Sequence, residues 1–278
     1  MENTLENYKN YLIKLNMSNN TVLAYLKAMD QFFYWNKKLN KNNQNIINKN
    51  NLIAFKGELI EKYCPKTVNI KILGINKYLS FIKKDNLKLK PVKFQQKTFI
   101  DNVISDADYK FLKNKLKSNG KTNYYFMVRF LAATGARVSE LIQIKAEHVK
   151  KGYIDIYSKG GKVRRIYIPK KLKEESLLWL DKVNIKSGYI FLNKFGERIT
   201  PRGLSIGLKN FAKEYGMNEK VVYPHSFRHR FAKNFLEKCS DIALLADLMG
   251  HDSIETTRIY LRKTSTEQQE IVDKIVTW

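Results

Sequence analysis

The sequence is poor in features that would indicate a metalloprotein, a secreted protein or a membrane protein. Its only cysteines, Cys64 and Cys239, have no second Cys or His at metal-ligand spacing. A structural zinc is therefore not expected, and one distant cysteine pair gives no argument for a disulfide. No apolar run approaches the roughly 20 residues of a membrane span, and the N-terminus lacks a signal-peptide core. We expect a soluble cytoplasmic protein with reduced thiols and without a metal or cofactor.

Acidic residues are also scarce. The 278 residues include 26 Asp and Glu against 51 Lys and Arg, a formal charge of +25. Such an excess repels itself unless an anionic partner shares the surface, so nucleic acid is the first candidate and an anionic membrane face the second. Asn is abundant as well, and part of the Lys excess could reflect codon usage. No lipid-facing amphipathic segment supports the membrane alternative.

The hydrophobic pattern predicts two domains. From Ser18 to Ile82, apolar residues recur at three- and four-residue steps, which indicates helices. We therefore expect a helical domain over residues 1–88. Residues 89–100 contain Pro and alternating Lys without a helical stripe, as in an extended basic linker. Residues 101–278 form the second domain.

This second domain mixes helical and strand patterns. Apolar helices are predicted over 123–133, ending at Gly135, and over about 137–145. YIDIY and VRRIYIP flank SKGGK and predict a β-hairpin, and YIFLN with KFGERIT predicts a second strand pair. Helices follow from the Thr200–Pro201 cap. The fold class expected is α+β, mainly α with a small β-sheet.

Two segments place cations where a phosphate could bind. In HSFRH, His225 and Arg228 lie three residues apart and share one helix face. In TGARVSEL, Arg137 starts a helix, where backbone N–H groups favour an anion. The alternatives are a solvated helix face for the first pair and, for Arg137, a side chain in solvent or one paired with Glu140.

Two further segments carry candidate proton donors and nucleophiles. SKGGKVRR crowds cations around a tight turn, and it is either an exposed loop or a basic finger beside DNA whose Lys159 donates a proton. LMGHDSIETTRIYLR places His251 after a helix-ending Gly, and Tyr260 follows on a new helix. Taken alone, a helical Tyr is more often structural than reactive.

Together and in this order, the segments resemble the tyrosine recombinases, also called phage-type integrases. That family's pattern is Arg in TGxRxSEL, Lys in a β-hairpin, HxxR on a helix, and LGHxxxxTTxxYxH near the end. The likeness spans about residues 100–278, and the helical first domain fits the family's core-DNA-binding domain less specifically. Arg262 stands where many members have His.

The resemblance implies a site-specific recombinase with a six-residue active site. Tyr260 would attack a DNA phosphodiester and form a 3′-phosphotyrosyl link, without metal or ATP. Its six catalytic residues would be Arg137 and Arg228 on the non-bridging oxygens, His251 beside them, His225 as proton acceptor, Lys159 as proton donor, and Tyr260. Further DNA contacts are expected from Lys162, Arg164 and Arg165.

The resemblance also implies an assembly. Two protomers would bind each inverted-repeat core site on double-stranded DNA, and a homotetramer would exchange strands through a Holliday junction. A partner recombinase or an accessory factor could take part. The C-terminal helix, about residues 265–278, has an apolar stripe that would dock on its own core or, as the family favours, on a neighbouring protomer.

Two alternatives remain within DNA-binding proteins: a type IB topoisomerase with similar chemistry, and a non-catalytic regulator on the same fold. The interacting tail and the compact size argue against the topoisomerase, and the intact six residues argue against the regulator. Within the family, chromosome-dimer resolution, mobile-element integration and DNA inversion all fit. The chain begins almost directly on the helical bundle, which favours a Xer-like enzyme over a lambda-type integrase.

Overall fold

A computed structural model describes residues 2–39, 47–94, 102–157, 163–251, 253–261 and 265–278. The chain divides into two compact units, Met1–Gln96 and Lys97–Trp278. Among the described helices, none is long and apolar enough to cross a membrane. The expected fold class is confirmed, since the described part of the chain is mainly helical with a small two-stranded sheet.

The first unit is a helical bundle, and its helices begin where the sequence provides caps. The Ser18 hydroxyl accepts a hydrogen bond from the Thr21 amide, and Asn48 caps the next helix through Asn51. Pro65 occupies a first helical position, where its missing N–H costs nothing. The helices are α1 (Glu2–Lys14), α2 (Asn19–Leu39), α3 (Lys49–Lys62) and α4 (Pro65–Phe81).

The first part of the expected linker is fastened to this bundle. After a 3₁₀ turn at Asp85–Leu87, the chain is extended, and the side chain of Asn76 donates to and accepts from the Leu89 backbone, both at 2.8 Å. The Asn69 side chain likewise donates to the Val92 carbonyl at 3.0 Å and accepts from the Val92 amide at 2.7 Å. Leu89 is buried. Residues 88–94 therefore form a strap on α4, and the rest of the predicted linker lies outside the described residues.

The described residues of the second unit form a large apolar core, to which helices from α5 to α11 contribute, and a smaller apolar cluster near the end of the chain. Its elements are α5 (Asp106–Ser118), α6 (Thr122–Thr134), α7 (Val138–Leu141), α8 (Ala146–Lys151), β1 (Tyr153–Tyr157), β2 (Val163–Tyr167), α9 (Lys170–Lys182), α10 (Pro201–Glu214), α11 (Pro224–Lys238), α12 (Ile242–Met249), α13 (Ile254–Arg258), a 3₁₀ turn (Ile259–Leu261) and α14 (Ser265–Ile275).

The expected hairpin is present, with β1 and β2 antiparallel and Ile156 opposite Arg164. Its turn, residues 158–162, lies outside the described residues. The second predicted strand pair is reduced to one isolated antiparallel bridge between its two segments, Leu192 to Arg198, and neither segment forms a strand. The Ile199 amide also donates to the Phe191 carbonyl. The side chain of Asn193 accepts from the Phe195 and Glu197 amides and turns the chain there.

The helix predicted over 137–145 is also shorter than expected. It ends at Leu141, because the following backbone pairs elsewhere. The Ile144 carbonyl accepts from the Ile190 amide, and Lys145 bridges to Tyr189. A segment that pairs with a distant stretch of chain cannot continue an α-helical hydrogen-bond ladder.

The strap generates a prediction about the first unit. Asn76→Leu removes both hydrogen bonds to the buried Leu89 backbone, which costs about 1–3 kcal/mol of local stability. Amide hydrogen exchange of residues 88–94, followed by mass spectrometry, should accelerate. Lys66→Ala, an exposed change on the same helix, is the control. Equal exchange rates of residues 88–94 in Asn76→Leu and wild type would show that the Asn76 hydrogen bonds do not hold the strap.

Candidate active site

The site begins where α6 ends. Gly135 has φ +61°, and a Cβ there would lie 2.4 Å from Cδ1 of Phe231, so only glycine fits without a shift. The Thr134 hydroxyl donates to the Phe130 carbonyl and accepts from the Ala136 amide. In this turn the Gly135 carbonyl can accept a hydrogen bond from Arg228 of α11, and Arg137 follows two residues later.

Arg137 precedes α7 and is half-exposed. Its backbone N–H donates to Glu140 Oε2 at 2.6 Å, and its Nη1 donates to Oε1 at 2.8 Å. The pairing of Arg137 with Glu140 that the sequence left open is therefore formed. Its Nη2 also reaches 2.8 Å from the Gly250 carbonyl oxygen. Because a guanidinium has five N–H donors, this arrangement fixes Arg137 and leaves donors for a ligand.

Glu140 is itself buried and has a second cationic partner. Arg164 Nη1 lies 2.8 Å from each of its carboxylate oxygens. Arg164 is only 7% exposed, on the inner face of β2. The expectation that Arg164 contacts DNA needs correction, since the guanidinium is inside the protein and paired with Glu140.

The C-terminal end of α12 gathers three arginines. The Leu248 carbonyl accepts from Arg164 Nε at 2.8 Å, the Met249 carbonyl from Arg228 Nη2 at 2.6 Å, and the Gly250 carbonyl from Arg137. The last carbonyls of a helix have no partner within it and carry the negative end of its dipole. Three successive peptide oxygens thus bind three guanidiniums that come from different parts of the chain.

Arg228 is the most enclosed of them, at 1% exposure. Its Nη1 donates to the Gly135 carbonyl, and its Nη2 lies 3.0 Å from His251 Nε2. Burial and the neighbouring Arg137 lower its pKa to about 10, so it stays cationic at neutral pH. Its Nε has no hydrogen-bond partner among the described residues.

His251 follows Gly250 and contacts the same guanidinium. Burial and the charge of Arg228 lower its pKa from 6.5 to about 4, so the ring is neutral at pH 7. Because arginine can only donate, Nε2 must accept from Arg228, and Nδ1–H then donates to the Thr257 hydroxyl at 2.8 Å. A hydroxyl can also donate, so Thr257 permits the opposite tautomer when an anion approaches Nε2.

Tyr260 lies in the 3₁₀ turn after α13 and is 5% exposed. Its ring is parallel to that of His251, with centroids 6.0 Å apart, and packs against Met249 and Leu245. Burial raises the pKa of its phenol, while the charge and hydrogen bond of Arg228 oppose that rise. The hydroxyl is therefore directed at the cationic cluster rather than at solvent.

His225 lines a cavity of about 400 Å³ together with Arg137, Arg228, Tyr223 and Ser205. His225 is an exposed residue of this cavity. Partial desolvation of its ring, together with the charge of Arg228, lowers its pKa. It stacks on His229, with centroids 4.9 Å apart. The shared face predicted for His225 and Arg228 is present.

Of the expected site residues, the structure brings together Arg137, His225, Arg228, His251 and Tyr260. Lys159 and Lys162 lie outside the described residues. Arg165 is on the outer face of the hairpin, where it pairs with Asp155 and lies over the Tyr153 ring. Within the described parts of the chain, no group of three or more His, Cys, Asp or Glu side chains could hold a metal ion.

Sequence reasoning missed three supporting residues. Glu140 was seen only as a partner for Arg137, Thr257 was seen only as part of a motif, and His229 was left without a role. The His229 ring contacts both His225 and Tyr260, with centroid distances of 4.9 and 5.3 Å. Its position four residues after His225 was the available signal.

Family models match both units. The model described as "Phage integrase family" matches residues 102–267, and "Phage integrase, N-terminal SAM-like domain" matches residues 5–86. Among curated proteins, Tyrosine recombinase XerD from Listeria monocytogenes is 28% identical over 98% of this chain and 97% of its own length. Tyrosine recombinase XerA from Pyrococcus furiosus is 28% identical over 97% of this chain and 93% of its own.

Solved structures share the fold. XerH site-specific recombinase bound to its difH substrate has a TM-score of 0.69 at 21% identity, covering 90% of this chain and 78% of its own. A lambda integrase dimer bound to a COC′ core site has a TM-score of 0.71 at 15% identity, covering 94% of both chains. At these identities the structural likeness shows the fold alone.

The depressed histidine pKa values generate a stability prediction. Burial lowers the pKa of both His229 and His251 to about 4 from 6.5, so the unfolded chain takes up protons first as the pH falls. The free energy of unfolding is therefore unaffected by them above about pH 7 and falls as the pH drops from 6.5 toward 4.

His229→Phe keeps an aromatic ring but cannot titrate, so its loss of stability between pH 7 and pH 5 should be smaller than that of wild type. Urea unfolding at the two pH values, followed by tryptophan fluorescence, measures the difference. An equal loss in the two proteins would contradict the proposed burial of a neutral His229.

Proposed function

The chain belongs to the phage integrase family, and from this premise we propose how its own residues carry out site-specific recombination of DNA. The protein is a tyrosine recombinase, and Tyr260 is its nucleophile. The observation that carries the residue assignment is the convergence of Arg137, Arg228 and His251 beside the Tyr260 hydroxyl.

The chemical step exchanges one phosphodiester for another. The Tyr260 oxygen forms a bond to the phosphorus of a DNA backbone, and the bond from phosphorus to the 5′ oxygen breaks. The phenolic proton passes to His225, and Lys159 donates a proton to the leaving 5′ oxygen. A 3′-phosphotyrosyl link and a free 5′-hydroxyl result. Since no water is consumed, the reverse attack by a 5′-hydroxyl rejoins a strand.

The charge of the site favours a bound phosphate. The three guanidiniums share one buried carboxylate, that of Glu140, which pairs with Arg137 and Arg164 but not with Arg228. The pKa of His251 is too low for its ring to add charge. The excess cationic charge is partly enclosed, and it lowers the pKa of Arg228. A phosphodiester that accepts hydrogen bonds from Arg137 and Arg228 relieves the repulsion between the guanidiniums. This stabilisation increases as negative charge builds up on the phosphate during attack.

Proton transfer is needed because the phenol is a poor nucleophile when protonated. Burial raises the pKa of Tyr260, so the phenol does not ionise by itself near pH 7. His225 is suited to accept the proton, because its lowered pKa leaves it neutral and it opens on the same cavity as Arg228. His251 can donate from Nε2 to a phosphate oxygen once Thr257 donates to its Nδ1.

We further propose double-stranded DNA with an inverted-repeat core site as the substrate, bound by two protomers per site. The formal charge of +25 supports DNA binding, and structurally similar recombinases such as XerH and lambda integrase are bound to DNA. A homotetramer would join two sites and exchange strands through a Holliday junction. The expected contacts from Lys162 and Arg165, an accessory partner and the cytoplasmic location stay predictions.

The C-terminal helix α14 supports an assembly of protomers. Val272, Ile275 and Trp278 on and beyond it are 50%, 63% and 91% exposed. Apolar side chains exposed in this way are a liability for an isolated chain, and a neighbouring protomer would cover them. A topoisomerase or a non-catalytic regulator is not favoured, since relatives matched over nearly the whole chain are tyrosine recombinases.

The nucleophile assignment predicts that Tyr260→Phe abolishes covalent capture of DNA. The variant lacks the attacking oxygen but retains the ring that packs against His251 and Met249, so folding and DNA affinity should be preserved. A denaturing gel of reactions with a nicked suicide substrate measures the covalent adduct, and a gel shift measures affinity.

Tyr223→Phe is the control, because Tyr223 lines the same cavity and loses the same atom. Its adduct should persist. An undiminished adduct in Tyr260→Phe would refute the assignment, whereas loss of binding in both variants would point to a structural role.

The assembly predicts that truncation after Lys263 weakens cooperative binding to a two-site DNA more than it weakens folding. Replacing Val272, Ile275 and Trp278 by Ser tests the same point with a full-length chain. Gel shifts should show more singly bound DNA, while the circular dichroism melting curve stays close to that of wild type. Unchanged cooperativity in both proteins would contradict exchange of the tail between protomers.

A further inference from the structure

The inner face of the hairpin strand β2 carries an arginine where a hydrophobic residue would be expected. Burial along β2 alternates, and its two buried residues are Arg164 and Ile166. We infer that Arg164 is a positioning residue for the recombination reaction: it locks the hairpin strand to the carboxylate that holds Arg137 and to the loop that carries His251. This inference rests on the proposed function.

The ion pair with Glu140 is the first support. A buried guanidinium is costly unless paired and hydrogen-bonded. Arg164 Nη1 reaches both oxygens of Glu140 at 2.8 Å, and the same oxygens accept from the Arg137 backbone and side chain. Without Arg164, this carboxylate would keep only Arg137 as a partner, through one backbone and one side-chain hydrogen bond. Arg164 thus fixes the orientation of the group that orients Arg137.

The second support is the contact with the end of α12. Arg164 Nε donates to the Leu248 carbonyl at 2.8 Å. A Cβ on Gly250 would lie 2.3 Å from Arg164 Cδ, so the arginine side chain occupies the space where residue 250 would carry its own. Gly250 has φ +60°, and its carbonyl binds Arg137. Arg164 therefore also fixes the peptide that precedes His251.

The third support is the place of Arg164 in the chain. It is the second residue of β2, and Lys159 precedes it by five residues in the same hairpin sequence. Strand β2 follows the proposed proton donor Lys159 in sequence. Through Arg164 this strand is linked to Glu140, the partner of Arg137, and to the Leu248 carbonyl near His251. The hairpin cannot shift without disturbing the Glu140 pair or the Leu248 contact.

A direct contact between Arg164 and the phosphate is not required. Its Nη1 and Nε are used by Glu140 and Leu248, and the residue is 7% exposed. Its Nη2 has no hydrogen-bond partner among the described residues. Arg164 therefore acts through Arg137 and His251, whose geometry determines how well the transition-state charge is bound.

Cleavage kinetics of Arg164→Met with two suicide substrates tests this role. One substrate carries the normal phosphodiester, and the other carries a neutral methylphosphonate at the scissile position. With the phosphodiester, the covalent rate at saturating enzyme should fall about 100-fold, as expected when a charge-binding group is misplaced. DNA affinity should change by less than about threefold, because an interaction realised mainly in the transition state is lost.

The methylphosphonate separates positioning from misfolding. It lacks one negative charge and depends less on the arginines, so its cleavage rate should fall by less than about tenfold in Arg164→Met. A loss of folded protein would lower both rates equally. Arg129→Met, which removes a partly buried arginine paired with Glu175 in the same unit, is the control and should leave the ratio of the two rates unchanged.

Two further variants keep the test decisive if Arg164→Met folds poorly. Arg164→Lys retains the charge but cannot bind Glu140 and Leu248 together, so it should recover folding and only part of the phosphodiester rate. Arg164→Met combined with Glu140→Gln removes both buried charges. Its fold-loss in rate should be smaller than the product of the fold-losses of Arg164→Met and Glu140→Gln measured separately.

The possible outcomes are distinct. Equal rate losses on both substrates, or a wild-type rate in a folded Arg164→Met, would overturn the positioning role. A rate loss accompanied by an equal loss of DNA affinity would also overturn it and would indicate a DNA contact. If wild type forms no covalent adduct on the normal substrate, the proposed function fails, and the Arg164 comparison is not reached.

Discussion

The arrangement of the active site depends on the hydrogen bonds between the carboxyl end of α12 and three guanidiniums. The carbonyls of Leu248, Met249 and Gly250 each bind a different arginine, from the hairpin, from α11 and from the turn before α7. Mutually repelling cations would separate without such partners. The helix end supplies oriented partial negative charge at no cost in side-chain entropy, and the single carboxylate of Glu140 supplies the rest.

Because most partners of the three guanidiniums are neutral carbonyls, the site keeps a net positive charge. A second carboxylate would neutralise the arginines and compete with the substrate, whereas neutral carbonyls hold them and leave their charge available to a phosphate. Burial keeps His251 neutral, so its ring acts as a hydrogen-bonding group whose tautomer Thr257 can adjust. Tyr260 completes the cluster on a short 3₁₀ turn that packs on α11, and its ring belongs to the apolar cluster that includes Leu245 and Met249 of α12. The end of α12 thus orients the three arginines and leads into His251, while α11 supports the turn that carries the proposed nucleophile.

Much of this could be predicted from sequence, because the relevant signals are local. Caps at Ser105 and Thr200, and the left-handed glycines at 135 and 250, define the helix ends that the residues follow. Motif order predicted which side chains belong together. Long-range pairing could not be read in the same way: α7 ends early because Ile144 bonds to Ile190, which lies far along the chain.

Arg164 illustrates the limit most clearly. In VRRIYIP it has the same strand parity as Ile166, which indicates an inward side chain, but a charged residue beside a basic turn suggests DNA contact instead. Only the partner on α7 decides between these readings, and no local pattern reveals that Glu140 is within reach. The strap of residues 88–94 is similar, because its lysines indicate a linker while Asn69 and Asn76 on α4 hold its backbone.

We propose that the cluster at the end of α12 surrounds one DNA phosphorus. Mass spectrometry of the nuclease-trimmed covalent complex tests it most directly, by identifying the amino acid that carries the residual nucleotide. The account predicts a single modified peptide with the nucleotide 3′ phosphate on Tyr260. A nucleotide attached to any other residue, or attached through a 5′ phosphate, would contradict it.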